Sequence, residues 1–197
     1  MSPRVGGGSV KGAALKAPRD AHTRPTSDKV RQAIFDVIGS AVVDSRVLDL
    51  YAGTGALGIE ALSRGAETAD FVEARSAAWR AIEANVCSLG MQSRATIWRM
   101  PVMKALSRLD RAFDLILADP PYADRDIEGM MESLASGDVV EPGGLVVLEH
   151  GKRIETQSEY GSLRRWQLKR YGDSMVSFYR RAFQPSAEPT DSGKERG

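Results

Sequence analysis

Val47-Leu48-Asp49-Leu50-Tyr51-Ala52-Gly53-Thr54-Gly55-Ala56-Leu57-Gly58 decides the fold class of this chain. A short apolar run, broken by one acid, meets three glycines at G-x-G-x-x-G spacing. Ala56–Arg64 then reads as a helix closed by Gly65. Strand, glycine turn and helix in that order open a βαβ unit, and the turn lets a ligand lie against bare main chain. Working downstream, the alternation continues. Strands are predicted at 69–73, 95–98, 113–118 and 145–149, with helices at 76–89, 102–109 and 126–135 between them. Pro142-Gly143-Gly144 reads as the turn before the fifth strand. Residues 165–171 and 174–181 are strand-like and joined through Gly172-Asp173, a tight antiparallel hairpin signal. The expectation is an α/β fold: a mostly parallel seven-stranded sheet with helices on both faces, ending in an antiparallel hairpin.

Upstream, residues 26–38 look helical, with Val30, Ile34, Val37 and Ile38 on one face, a cap at Thr26 or Ser27 and a stop at Gly39. Residues 1–23 read as a basic N-terminal arm outside the core, 24–183 as the catalytic domain, and 184–197 as a disordered tail.

Composition sets outer limits. The chain has 197 residues, 42% of them hydrophobic and 27% charged, so one domain with a real core is expected. A single cysteine, Cys87, excludes a disulfide scaffold and suits a reducing compartment. No apolar run reaches the roughly 20 residues of a membrane helix, and no signal peptide opens the chain. A soluble cytoplasmic protein is expected. Net charge is +1 from 27 basic and 26 acidic residues, yet the basic ones cluster in two places. One cluster lies in residues 1–31; the other is Arg164, Arg165, Lys169, Arg170, Arg180 and Arg181. Two basic patches on a neutral body suit a polyanion, although solvated faces look the same in sequence.

Glu73 stands 20 residues after Gly53, at the end of the second strand, where a carboxylate accepts hydrogen bonds from a ribose diol. Asp49 separates two kinds of nucleoside ligand. A carboxylate there repels a pyrophosphate but suits a sulfonium and an α-amino group, favouring S-adenosylmethionine over NAD. Asp119-Pro120-Pro121-Tyr122 follows the fourth strand, at the carboxyl edge where open α/β sheets bind ligands. Two prolines fix the backbone and leave carbonyl acceptors in place. The Asp119 carboxylate and the Pro120 carbonyl can grip both hydrogens of an exocyclic amine, and Tyr122 can stack on the base. Such a site works by positioning and preorganised electrostatics. Cys87 reads as core packing. Trp79, Trp98 and Trp166 read as core or rim packing, and Met100 and Met103 as packing near the cofactor pocket. His22 and His150 lack partners at metal-ligand spacing, so no metal is assigned.

The combination of Asp49-x-x-Ala52-Gly53-Thr54-Gly55, an acid after the second strand and Asp119-Pro120-Pro121-Tyr122 resembles the amino-methylating class I methyltransferases. Thr23-Arg24-Pro25-Thr26-Ser27-Asp28-Lys29-Val30-Arg31 and the run from Tyr51 to Ala66 narrow the resemblance to the RsmD family, which methylates the guanine N2 amine in 16S ribosomal RNA. The resemblance runs from about Arg4 to Ala182. It implies a Rossmann-like methyltransferase fold and S-adenosylmethionine as cofactor. Asp49, Ala52, Gly53, Thr54, Gly55, Glu73, Ala74, Val102 and Asp119 would hold that cofactor, and Asp119 to Tyr122 the target base. Lys11, Arg24, Thr26 and Arg31 would touch RNA, with Gly7, Gly8 and Gly12 completing the arm's match to the family. Two positions depart from the family pattern. Pro101 stands where an acidic or amide residue usually faces the adenine amine, leaving main chain near Val102 to take that contact. Ala13 replaces a usual basic residue. The implied partner is 16S rRNA in a partly or fully assembled small subunit, met by a monomer. A DNA amino-methyltransferase and a degenerate RNA-binding module remain as alternatives, with a dehydrogenase behind them.

Overall fold

The computed structural model describes residues 3–18, 27–121 and 126–183. Eight strands form one sheet: β1 (Arg46–Leu50), β2 (Thr68–Val72), β3 (Ala95–Trp98), β4 (Phe113–Ala118), β5 (Val140–Gly151), β6 (Glu159–Tyr160), β7 (Leu163–Tyr171) and β8 (Ser174–Arg181). Their order is β3-β2-β1-β4-β5-β8-β7-β6. The first five pair in parallel and the last three antiparallel. The expected sheet of seven gains β6, which pairs only Glu159 with Arg164 and Tyr160 with Leu163. The expected turn at Pro142-Gly143-Gly144 lies inside β5. That strand pairs with β4 from Val140 and shifts register between Phe113 and Leu115, so residues 141–144 loop out as a bulge.

The central strands β1, β2 and β4 are buried on both sides, which is why they read as apolar runs instead of alternating ones. One face carries α1 (Asp28–Ile38), α2 (Ala56–Ser63) and α3 (Ser76–Ser88) over Val47, Phe71, Leu115, Val147 and Phe178. The other carries α4 (Val102–Leu106) and α5 (Ile127–Ser136) over Leu48, Ile116, Val146 and Tyr179. Each fully buried apolar side chain in these layers contributes about 1.5–3 kcal/mol. The Ser27 hydroxyl caps α1 by accepting from Val30 N at 3.2 Å. No described helix is long and apolar enough to cross a membrane.

The arm departs from expectation, because Val5 and Leu15 belong to the core. Residues 3–15 fold back on themselves, Val5 N bonding Ala13 O at 3.0 Å, and lie flat on the end of α2. Gly8, at φ +77°, makes that approach possible: a Cβ there would sit 1.8 Å from the Ser63 carbonyl oxygen. Ser63 O accepts from Ser9 N, and its hydroxyl bonds Gly7 O and Val10 N. Residues 19–26 and 184–197, holding the expected contacts Arg24 and Thr26 and the expected tail, lie outside the described residues.

Candidate functional site

The chain leaves β1 and reverses at once. Tyr51, with φ 59°, turns it out of the sheet, and Ala52 N bonds back to Val72 O at 3.0 Å. A non-glycine residue in the left-handed region is a costly conformation that collects at functional loops. Residues 52–55 then cross the carboxyl edge of the sheet. A Cβ on Gly53 would meet nothing nearer than Tyr51 O at 3.8 Å, so that segment presents main chain outward. Gly55 is packed instead: a Cβ there would press on Ile59, Phe71 and Ile82 at 3.3–3.4 Å. The site therefore lies where the sheet order reverses, between β1, which leads to β2, and β4. This is the switch point at which open α/β sheets bind ligands.

Glu73 is 5% exposed and holds this loop. One carboxylate oxygen accepts from Gly53 N at 2.9 Å, the other from Arg75 N at 2.8 Å. A carboxylate has about four acceptor positions, so these two backbone bonds leave one on each oxygen for a vicinal diol once the Arg75 guanidinium, which takes both, withdraws. Arg75 Nε also reaches Glu73 at 3.2 Å, from a side chain 54% exposed that can swing aside. The residues present therefore fit the ribose of S-adenosylmethionine.

Asp49 is buried and accepts from Gly58 N at 2.8 Å, tying β1 to the first turn of α2. Burial pushes its carboxyl up to about 8; the Gly58 bond opposes this, and Asp119 and Glu73 add repulsion. Asp49 thus senses two further carboxyl groups at the crevice, and a cation entering it is favoured. Asp119 follows Ala118, the register partner of Leu50, and its N–H bonds Leu50 O at 3.4 Å. That places the Asp-Pro-Pro turn beside the glycine loop. Asp119 is half-buried, Pro120 buried and Pro121 exposed. Tyr122 lies outside the described residues. Ala74 is exposed at the rim, and Val102 is buried at the start of α4, with Pro101 before it.

Other expected residues do not converge here. Arg31 is 1% exposed and cannot reach RNA. Its guanidinium bonds Glu60, Asp28 and the Arg4 carbonyl. Gly8 is likewise sealed against Ser63, whereas Lys11 and Gly12 stay exposed. Cys87, expected in the core, is exposed, because the buried face of α3 is Ala78, Ala81, Ile82, Asn85 and Val86. Met103 and Trp166 are also exposed, at 40% and 48%. Among the described residues, no group of three or more His, Cys, Asp or Glu could hold a metal ion.

Two buried residues escaped the sequence reading. Asn85, 1% exposed, accepts from Lys16 N and donates to Lys16 O and Thr54 O, joining arm, α3 and glycine loop. Its signal was an amide at a core position of an amphipathic helix. Glu60, fully buried, takes Gly6 N at 2.6 Å, Arg64 Nε at 2.7 Å and Arg31 Nε at 3.3 Å. Its signal was a lone acid in an otherwise apolar helix.

Comparison with known proteins matches most of the chain to a family, to relatives and to solved structures. Residues 3–180 match the family described as conserved hypothetical protein 95. The chain is 35% identical over 181 residues to a putative rRNA methyltransferase, YlbH, of Bacillus subtilis, covering 90% of this chain and 98% of that one. It is 30% identical over 158 residues to ribosomal RNA small subunit methyltransferase D of Escherichia coli K12, covering 80% and 76%. Among solved structures, the putative methyltransferase yhhF from Escherichia coli superposes with a TM-score of 0.82 at 27% identity, covering 93% of this chain and all of that one.

Proposed function

We propose a reaction for this chain, which belongs to the conserved hypothetical protein 95 family, the RsmD family of methyltransferases: methylation of the exocyclic N2 amine of a guanine in 16S rRNA. The observation that carries it is the placement of Asp119 beside the glycine loop, at the switch point of the sheet. S-adenosylmethionine, when bound, supplies a methyl group activated on a sulfonium sulfur. Glu73 would hold the ribose, main chain at 52–55 would meet the methionine portion, and Asp49 would face its positive charge, which favours the ionised form of that carboxyl. Val102 and Ala74 would flank the adenine. The amine of a nucleobase is a poor nucleophile, because its lone pair is delocalised into the ring. The Asp119 carboxylate and the Pro120 carbonyl accept its two N–H groups and turn the lone pair toward the methyl carbon. As the nitrogen lone pair forms the new C–N bond, the methyl–sulfur bond breaks and its electron pair leaves with the sulfur as a neutral thioether, while a proton passes from the nitrogen to a carboxylate oxygen of Asp119. Pro120 and Pro121 hold that geometry rigidly, and Tyr122 stacks on the base.

The substrate reading rests on the names of the relatives, the small-subunit enzyme of Escherichia coli first among them. The division into an arm over 1–23, a catalytic domain over 24–183 and a tail over 184–197 belongs to the same proposal. Lys11, exposed on the docked arm, touches the RNA, as do Arg24 and Thr26. The chain acts as a cytoplasmic monomer on a partly or fully assembled small subunit, since RNA is read largely by shape and exposed bases. The test compares methyl transfer to small subunits, naked 16S rRNA and duplex DNA, with mass spectrometry of the product nucleosides. N2-methylguanosine confined to the rRNA substrates is expected, and activity confined to DNA overturns the substrate. Asp119→Ala is expected to abolish transfer while cofactor binding persists; full activity in that variant overturns its role.

A further inference from the structure

We propose that the outer face of the terminal hairpin, built on Trp166, Arg164 and Arg180, docks a single-stranded segment of the RNA flanking the target base. The inference rests on the rRNA reading above and extends it to a surface outside the crevice. Strand β7 is regular except at one point. Arg165 pairs with Tyr179 and Gln167 with Phe178, so Trp166 is the extra residue of a bulge. A bulge bends the strand and re-aims one side chain. Here it presents an indole that is 48% exposed. The ring rests against Phe178 at 5.8 Å, and the Arg180 guanidinium stands 5.9 Å from its centroid. The Arg164 side chain is 72% exposed, with Glu159 at 3.6 Å as its counterion. Beyond Arg165 the outer side of β7 pairs with no strand among the described residues, and such an edge needs charge to deter pairing, which Lys169 and Arg170 supply. They do not account for a half-exposed tryptophan, which leaves apolar surface in water.

The patch lines up with the site. Lys169 pairs with Val176, which pairs with Glu149 on its other side. Glu149 follows Leu148, the partner of Ala118, so this row leads to Asp119. Three strand spacings put Lys169 roughly 14 Å from Asp119, and Trp166 lies about 10 Å further along β7. A few nucleotides of extended strand span that path. Aromatic rings interleaved with cations are the general device for holding unpaired nucleic acid: the ring stacks a base and the cations meet phosphates. A second copy of the chain suits the patch less well, because a two-fold contact would set one arginine-bearing patch against another.

The test uses the full chain, small ribosomal subunits and naked 16S rRNA. Trp166→Ala is expected to raise KM for RNA by at least about fivefold, with the affinity for S-adenosylmethionine unchanged, while Trp166→Phe keeps most of the RNA affinity. Arg180→Gln is expected to lower the slope of log affinity against log salt by about one. RNA affinity and salt slope equal to wild type in these variants overturn the proposal. So does a wild-type dimer, seen by sedimentation, that Trp166→Ala dissolves. If the wild-type chain transfers no methyl to RNA, the function proposed above fails by itself. Direct binding of 16S rRNA, weakened or not by Trp166→Ala, then decides the docking surface.

Discussion

Replacing Arg31 by Met is expected to cost about 3 kcal/mol of stability and to leave the salt dependence of RNA binding unchanged. The guanidinium lies between α1, α2 and the arm, 1% exposed, and touches Glu60, which is fully buried. A buried charge-assisted hydrogen bond contributes about 1.5–3 kcal/mol, and losing the bond to the Arg4 carbonyl adds to that. Two features limit the loss. Glu60 keeps Gly6 N and Arg64 as partners, so its charge is not stranded. Arg31 Nη1 is buried with no hydrogen-bond partner among the described residues, so its removal relieves a desolvation cost. The ion pair with Asp28 contributes less than about 1 kcal/mol, since that carboxylate is 58% exposed. Met keeps the apolar stem and isolates the charge. Urea unfolding measures the loss, and a melting temperature lower by roughly 6–12 °C should accompany it. Limited proteolysis should cut residues 3–15 earlier than in wild type. Lys at this position is not expected to rescue, because it lacks the planar fork. A loss below about 1 kcal/mol, or weakened RNA binding with intact stability, refutes a purely structural role.

Three further outcomes follow from the site. Asp49 titrates near 8 when folded, against 3.8 ordinarily, so the folded chain holds an extra proton between those values. Wild-type stability should therefore fall as pH rises through that window, by up to about 1.4 kcal/mol per pH unit, and level off above 8. Asp49→Asn should gain on wild type from pH 5 to pH 9; a constant gap contradicts the assignment. Gly58→Ala would put a Cβ 2.4 Å from Phe71 Cε1 and 3.1 Å from Asp49 Oδ2, so a loss of about 1–3 kcal/mol in denaturant unfolding is expected. Asn85→Ala removes three hydrogen bonds and should destabilise by roughly 1–3 kcal/mol while weakening S-adenosylmethionine binding in a thermal-shift titration.

Most of the sheet was legible because a strand covered on both faces must be largely apolar, and Gly39, Gly65 and Gly90 mark where α1, α2 and α3 stop. The rest was hidden for definite reasons. Strand β6 is two residues long and carries no pattern of its own. The true start of β5 was masked because Pro142-Gly143-Gly144 signals a turn whether the strand ends there or bulges around it. In the site, Gly53, Glu73 and Asp49 were identifiable because strand ends place them. Arg31 was misread because a basic residue on a short helix looks the same whether it faces a phosphate or a buried glutamate. Cys87 was misplaced by a partial turn of α3. Asn85 and Glu60 act across 69 and 54 residues of chain, a separation that no local pattern encodes.

Helix α2 receives the glycine loop at its beginning and seats the arm at its end, over eight residues. The cofactor loop and the docked arm are thus built on one short lever. An arm grafted from a relative should fail unless Glu60, Ser63 and Arg64 travel with it. Trimming the first fifteen residues to obtain a minimal enzyme should blunt its grip on the methyl donor.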